Sequence, residues 1–144
     1  MTTLNPYLNF NGNTEEAFNF YKSVFKSDFS QLMRFTDMPP GEEGADKIPK
    51  EYENQILHVS LPIGDSVLMG SDCIEAFGQK AVFGSSNYIS VTPASEEETR
   101  RLFIELSAGG DVEMPLEEMF WGDLFASFTD KFGIKWNLNY PIEK

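Results

Sequence analysis

The sequence predicts an α/β (α+β) fold: one domain spanning 1–144, made of two βαβββ modules whose curved mixed sheets surround a cleft. Module one runs over about 1–73, a linker over about 74–85 and module two over about 86–144. Three observations carry this expectation: two amphipathic helical stripes, each led by a polar capping signal; the same order of elements on both sides of the linker; and strands that alternate apolar with neutral polar residues.

Leu4 to Phe10 reads as a strand, and Asn11-Gly12 turns the chain. Asn13-Thr14-Glu15-Glu16 has the form of an N-cap with glutamate three positions on, a capping-box variant. Ala17, Phe20, Tyr21, Val24 and Phe25 follow at helical spacing. Ser30 to Thr36 reads as a second strand. Asp37 to Lys50 holds Pro39, Pro40, Gly41, Gly44 and Pro49 and reads as a long loop. Gln55–Pro62 and Ser66–Ser71 are strands of a hairpin around Gly64-Asp65.

The order then restarts. Ser86 to Thr92 is strand-like, and Ser95-Glu96-Glu97-Glu98 repeats the capping box. Leu102, Phe103 and Leu106 mark a second helix, which Gly109-Gly110 should end. Val112–Met119, Leu124–Thr129 and Lys135–Tyr140 supply three more strands, the last two joined at Lys131-Phe132-Gly133. Pairing Asn13 with Ser95 sets the repeat at about 82 residues and matches Glu16 with Glu98, Phe20 with Leu102, Tyr21 with Phe103 and Val24 with Leu106.

Alternation separates two faces. Leu8 and Phe10 oppose Asn5, Tyr7 and Asn9; Leu57, Val59 and Leu61 oppose Ile56, His58 and Ser60. In the second half, Ile89 and Val91 oppose Ser86, Tyr88, Ser90 and Thr92, Ala126 and Phe128 oppose Ser127 and Thr129, and Trp136 and Leu138 oppose Asn137 and Asn139. The apolar faces need helices over them. The other faces carry hydroxyls, amides and one imidazole, with few charges. A partly desolvated pocket favours such neutral groups; a plain solvent-facing sheet is the alternative.

Composition removes several function classes. A 41% hydrophobic, 14% aromatic chain of 144 residues can build a core, so disorder is not expected. A net charge of −12 without basic clusters argues against nucleic acid and against anionic membrane surfaces. No apolar run is long enough to span a bilayer, and the N-terminus lacks the pattern of a signal peptide. One cysteine, Cys73, forms no internal disulfide, and a reducing cytoplasm is the expected compartment. Glu42, Glu43, Asp46, Glu51 and Glu53 crowd one stretch, either a solvated loop or a recruitment surface.

Three segments together carry a resemblance. They are Tyr7-Leu8-Asn9-Phe10-Asn11-Gly12-Asn13-Thr14-Glu15-Glu16-Ala17 running into Phe20-Tyr21; Ile56-x-His58 with Gly64, Leu68-Met69 and Ser71-Asp72; and Phe120-Trp121-Gly122 followed by Thr129 to Trp136. In these the chain resembles the PhnB-like branch of the glyoxalase/bleomycin-resistance/dioxygenase (vicinal oxygen chelate) superfamily, over nearly its whole length. The resemblance implies paired βαβββ modules around a ligand cavity, commonly in a homodimer. Its wider membership includes metal-dependent isomerases and dioxygenases, antibiotic-modifying enzymes and metal-free antibiotic-sequestering proteins. Some PhnB-like members carry a demethylubiquinone methyltransferase label; this chain shows no glycine-rich strand-to-helix turn for a nucleotide-like methyl donor.

Metal-dependent relatives place four ligands at positions that fall on Asn5, Ser86 and Asn137 and near Met69. None of these is a carboxylate or imidazole, so no cofactor and no tightly bound metal are expected. One histidine cannot build a two-His site, although a dimer could supply two and complete a weak one. His58 is the candidate catalytic acid/base, or a structural histidine bonded to Ser60. Asn5, Tyr7, Asn9, Arg34, His58, Ser86, Tyr88, Ser90, Trp121 and Asn137 are the candidate ligand-binding residues. Arg34 would anchor an anion or form a surface ion pair, and Trp121 with Phe120 would wall the pocket or serve as core or interface. Cys73, beside Asp72, reads as a plain thiol. The expected function is small-molecule binding, with an enzyme of the same superfamily or a dimeric interaction module as alternatives.

Overall fold

Helical stripe and strand alternation resolve into two sheets, each backed by one helix. The computed structural model describes residues 1–39 and 48–142. They fall into two units, Met1–Val82 and Phe83–Lys144.

The first unit holds β1 (Tyr7–Phe10), α1 (Thr14–Phe25), β2 (Gln31–Arg34), β3 (Ile56–Ile63) and β4 (Ser66–Asp72), with sheet order β1-β4-β3-β2. β1 runs parallel to β4, and the other neighbours are antiparallel. α1 lies against β3 and β4. Its stripe of Ala17, Phe18, Tyr21 and Val24 is buried with Phe10, Val59, Leu61 and Leu68. Each large side chain so buried contributes about 1.5–3 kcal/mol. Two residues, Gly64-Asp65, close the β3–β4 hairpin, and Gly64 takes φ 58, a value that side chains resist.

The second unit holds β5 (Ile89–Val91), α2 (Glu96–Leu106), β6 (Asp111–Glu118), β7 (Asp123–Thr129) and β8 (Lys135–Pro141), in the order β5-β8-β7-β6. The topology is that of the first unit, including the parallel β5–β8 pair. Leu102 and Leu106 of α2 are buried with Leu124, Ala126, Phe128, Trp136 and Leu138. Two four-stranded mixed sheets with two helices make an α+β fold of the glyoxalase-like kind.

Several local expectations change. β1 starts at Tyr7, not Leu4, because Pro6 has no N–H for the ladder; only its carbonyl is used, accepting from Met69 N at 3.1 Å. β5 is limited to the three residues that pair with β8, so Ser86 and Tyr88 precede it. α2 ends at Leu106, before Gly109-Gly110. The Ser95 cap forms as expected, its Oγ accepting from Glu98 N at 3.0 Å. The Asn13 cap does not: that side chain makes no capping bond. Strict alternation also fails at the start of β3. A register shift opposite Met33/Arg34 buries Ile56 and leaves Leu57 half-buried. β2 is confined to Gln31–Arg34, because Phe35–Asp37 form a 3-10 turn in place of the expected end of the strand; Lys50–Tyr52, at the end of the long loop, form another. Pro40, Gly41, Glu42, Glu43, Gly44 and Asp46 lie outside the described residues.

Candidate functional site: the open faces of the two sheets

The register of the first sheet sets its helix-free face. Tyr7, Met69, Ser60 and Gln31 follow one another across β1, β4, β3 and β2; Asn9 pairs with Ser71, and His58 with Met33. At its centre, Tyr7 Oη lies 3.4 Å from His58 Nδ1, and His58 Nε2 lies 2.7 Å from Ser60 Oγ. With the phenol as donor, the ring carries its proton on Nε2 and donates to Ser60; the reverse tautomer makes Ser60 the donor. The Ser71 hydroxyl donates to Asn9 Oδ1 at 3.3 Å. Both hydrogen-bond partners of the His58 ring among the described residues are neutral hydroxyls.

Ser71 also borders a cavity of about 270 Å³ in this unit, whose apolar walls include Phe35, Met38, Leu57, Ile74 and Phe77. Sequence reasoning missed this cavity. Its walls come from 3-10 turns and from the register shift at Ile56/Leu57, and neither leaves a periodic signal.

Two candidates of the first unit have other commitments. Asn5 Oδ1 accepts from Val67 N at 2.9 Å, tying the N-terminal segment to the start of β4. Arg34 does not offer its guanidinium to the open face. It follows Met33, the open-face partner of His58, and so lies on the α1 side, where Nη1 and Nη2 bond both carboxylate oxygens of Glu15 at 2.9 and 2.6 Å and Nη1 also reaches Asn54 O at 2.9 Å. That fork holds the Glu15 carboxyl below its usual range. Of the two expectations for Arg34, the ion pair is the one formed.

Cys73 is half-buried, and desolvation followed by the Asp72 charge pushes its thiol up, opposite to what a nucleophile needs. The Asp72 carboxylate itself accepts from Gly12 N, Thr14 N and Ile56 N at 3.0, 3.0 and 2.9 Å, and from the Thr14 hydroxyl at 2.6 Å.

In the second unit, Ser90, Asn137, Ser127 and Met114 follow one another across the open face. Asn139 Nδ2 donates to Asp123 Oδ2 at 2.8 Å. Toward the start of β8, the Tyr88 phenol, Lys135 Nζ and Thr129 Oγ1 surround the Glu113 carboxylate. This face is therefore less neutral than expected. Ser86 precedes β5 and is exposed. Trp121 and Phe120 sit at the tip of the β6–β7 hairpin, 50% and 97% exposed, so neither is core. Trp121 stacks edge-to-face with Phe125, whose partner Asn139 lies on the open side.

The metal positions drawn from the resemblance do not fit a divalent ion. Asn5 is engaged by the backbone and Met69 offers only a thioether. Among the described residues no three His, Cys, Asp or Glu side chains gather to hold a metal.

The profile of the family described as 3-demethylubiquinone-9 3-methyltransferase matches residues 2–139. Protein YjdN of Escherichia coli (strain K12) is 31% identical, with 94% of this chain and 93% of that one covered. The crystal structure of PA1353 from Pseudomonas aeruginosa is 34% identical with a TM-score of 0.82, covering 99% and 100% of the two chains. A putative 3-demethylubiquinone-9 3-methyltransferase, PhnB protein, from Bacillus cereus is 26% identical with a TM-score of 0.74, covering 96% and 99%. A glyoxalase/bleomycin resistance/dioxygenase family enzyme from Burkholderia phytofirmans shares the fold alone, at 16% identity and a TM-score of 0.60 over 94% and 97%. With the profile covering all but the two ends of the chain, this protein belongs to the PhnB-like family, described as 3-demethylubiquinone-9 3-methyltransferase.

Proposed function

We propose that the chain binds a small, uncharged organic molecule on the open face of its first sheet, without a tightly bound metal. One observation carries the reading: the face presents paired hydroxyls, amides and an imidazole, and at Ser71 it runs into an apolar cavity of about 270 Å³. Such a combination takes a ligand with an aromatic or aliphatic end for the cavity and hydrogen-bonding groups for Tyr7, Asn9, His58 and Ser60. Ser90, Asn137 and Trp121 offer the second sheet's face similar neutral and aromatic groups. A methyl-transfer role finds no support in a donor site, since the chain has no glycine-rich strand-to-helix turn.

The second reading, an acid/base enzyme, is favoured by one detail: both His58 nitrogens have hydroxyl partners, an arrangement that orients a ring for proton transfer. The working unit is a homodimer in the cytoplasm. β6 supports the dimer, because it is an edge strand with Val112 and Met114 47% and 40% exposed. The single free cysteine supports the compartment. Among the described residues no helix is long and apolar enough to cross a membrane.

Thermal-shift measurements across neutral aromatics, phosphonates and glycopeptide antibiotics, each with and without divalent metals, test this reading. It expects stabilisation by a neutral compound without metal, largely retained in His58→Ala. Stabilisation that appears only with metal, or turnover abolished by His58→Ala, transfers the case to the enzyme.

A further inference from the structure

The two margins of the second sheet are joined across its open face. In the order β5-β8-β7-β6, Tyr88 flanks β5 and Glu113 belongs to β6, with β8 and β7 between them. Three strand spacings amount to roughly 14 Å, yet the Tyr88 phenol donates to Glu113 Oε2 at 2.5 Å. Beneath this bond lie Lys135 of β8 and Thr129 of β7, themselves paired in register. Lys135 Nζ bonds Glu113 Oε1 at 2.5 Å and Thr129 Oγ1 at 3.1 Å, and sits 5.2 Å from the centre of the Tyr88 ring. Thr129 Oγ1 lies 3.4 Å from Glu113 Oε1. Donors from three separate segments converge on one carboxylate.

That carboxylate sits at an irregularity. Val112 pairs with Phe128 and Met114 with Ser127, so β6 spends one residue more than β7, and Glu113 is the extra one. Asp111 pairs with Thr129, so Glu113, two residues on, faces the open side, and the bulge brings Met114 to that side too, opposite Ser127. The strand that carries Glu113 is the last of its sheet, and most of its residues are exposed.

We propose that Tyr88, Thr129 and Lys135 form a receptor for the carboxylate of a small-molecule ligand, which Glu113 fills from within and gates. An incoming carboxylate takes the same phenol, hydroxyl and ammonium while Glu113 swings to solvent on its bulged strand. A tethered occupant competes at a high effective concentration, so affinity for a free carboxylate falls with the fraction of receptor left vacant. The inference does not depend on neutral-ligand binding at His58, and it survives if that reading fails.

The test uses benzoate as probe and benzamide as its uncharged control, titrated into the whole chain and followed by amide chemical shifts. Glu113→Ala should bind benzoate at least about tenfold more tightly than the unaltered chain, with shifts centred on Tyr88, Thr129 and Lys135 and no gain for benzamide. The added mutation Lys135→Met should abolish the gain. Glu113→Gln, which keeps an acceptor for the Tyr88 phenol, should show a gain of the same sign and covers the case in which the alanine variant does not fold. Equal benzoate affinity with and without Glu113, a gain that persists without Lys135, or shifts centred elsewhere would each overturn the proposal.

Discussion

Asp72, the last residue of β4, caps the first turn of α1 by accepting from both the backbone N–H and the hydroxyl of Thr14, 58 positions earlier in the chain. Its other oxygen accepts from Ile56 N at the start of β3. One buried carboxylate thus fixes where helix and hairpin meet. Asp130 does comparable work in the second unit, accepting from Phe132 N, Ile134 N and Trp136 Nε1 at 2.8, 3.1 and 2.8 Å.

Replacing Asp72 with Asn sets an N–H₂ group against at least one of four donors that now point at oxygen. Each buried donor left unpaired costs about 1–3 kcal/mol. Urea denaturation should therefore show Asp72→Asn destabilised by about 2–4 kcal/mol, and a loss below about 1 kcal/mol would contradict the role.

The two helix caps should respond unequally to alanine. Ser95→Ala removes a formed bond to Glu98 N and should cost about 1 kcal/mol. Asn13→Ala removes none and should change stability by less than about 0.5 kcal/mol. The same denaturation series checks both.

Gly110→Ala would place a methyl 2.0 Å from the Thr129 carbonyl oxygen, whereas a Cβ on Gly84 meets nothing within 4 Å. The first substitution should destabilise by about 1–3 kcal/mol or more and the second should be close to neutral. Paired thermal melts decide it.

The Glu113 carboxyl lies below the usual glutamate range, first because Lys135 donates to it and then because Tyr88 does. A depressed folded value means that its stabilising contribution is complete above the unfolded pKa of glutamate and fades as pH falls through the lower folded value. A carboxyl carbon-13 titration should find the Glu113 midpoint depressed, and Lys135→Met should raise it. No movement on that substitution would show that the ion pair is not formed in solution.

Much of the fold was legible because it rests on periodicity. The stripe of Ala17, Tyr21 and Val24 and the alternation of Trp136 and Leu138 are properties of neighbouring residues, and the repeated order of elements follows from them. What escaped depends on distant partners or on broken periodicity. Asn13 had the residue type of a cap, yet Asp72 reaches the same turn from far along the chain. Ile56 changes face at a register shift, and Met114 joins Glu113 on the open side at a bulge. A one-residue irregularity inverts a period of two, and the sequence carries no mark of where it falls. For the candidate site, Tyr7, Asn9 and His58 were predicted to share a face and do; the cavity beside Ser71 was not foreseen.

The central claim is that an uncharged ligand sits on the first sheet's open face with its apolar end in the cavity beside Ser71. Amide chemical-shift mapping in metal-free buffer, with the neutral compound that gives the largest thermal shift, addresses it most directly. The account predicts the largest changes at Tyr7, Asn9, His58, Ser60 and Ser71 and at Leu57 and Phe77 of the cavity wall. Changes confined to the outer surface of α1, or binding that vanishes when a chelator is added, would contradict it.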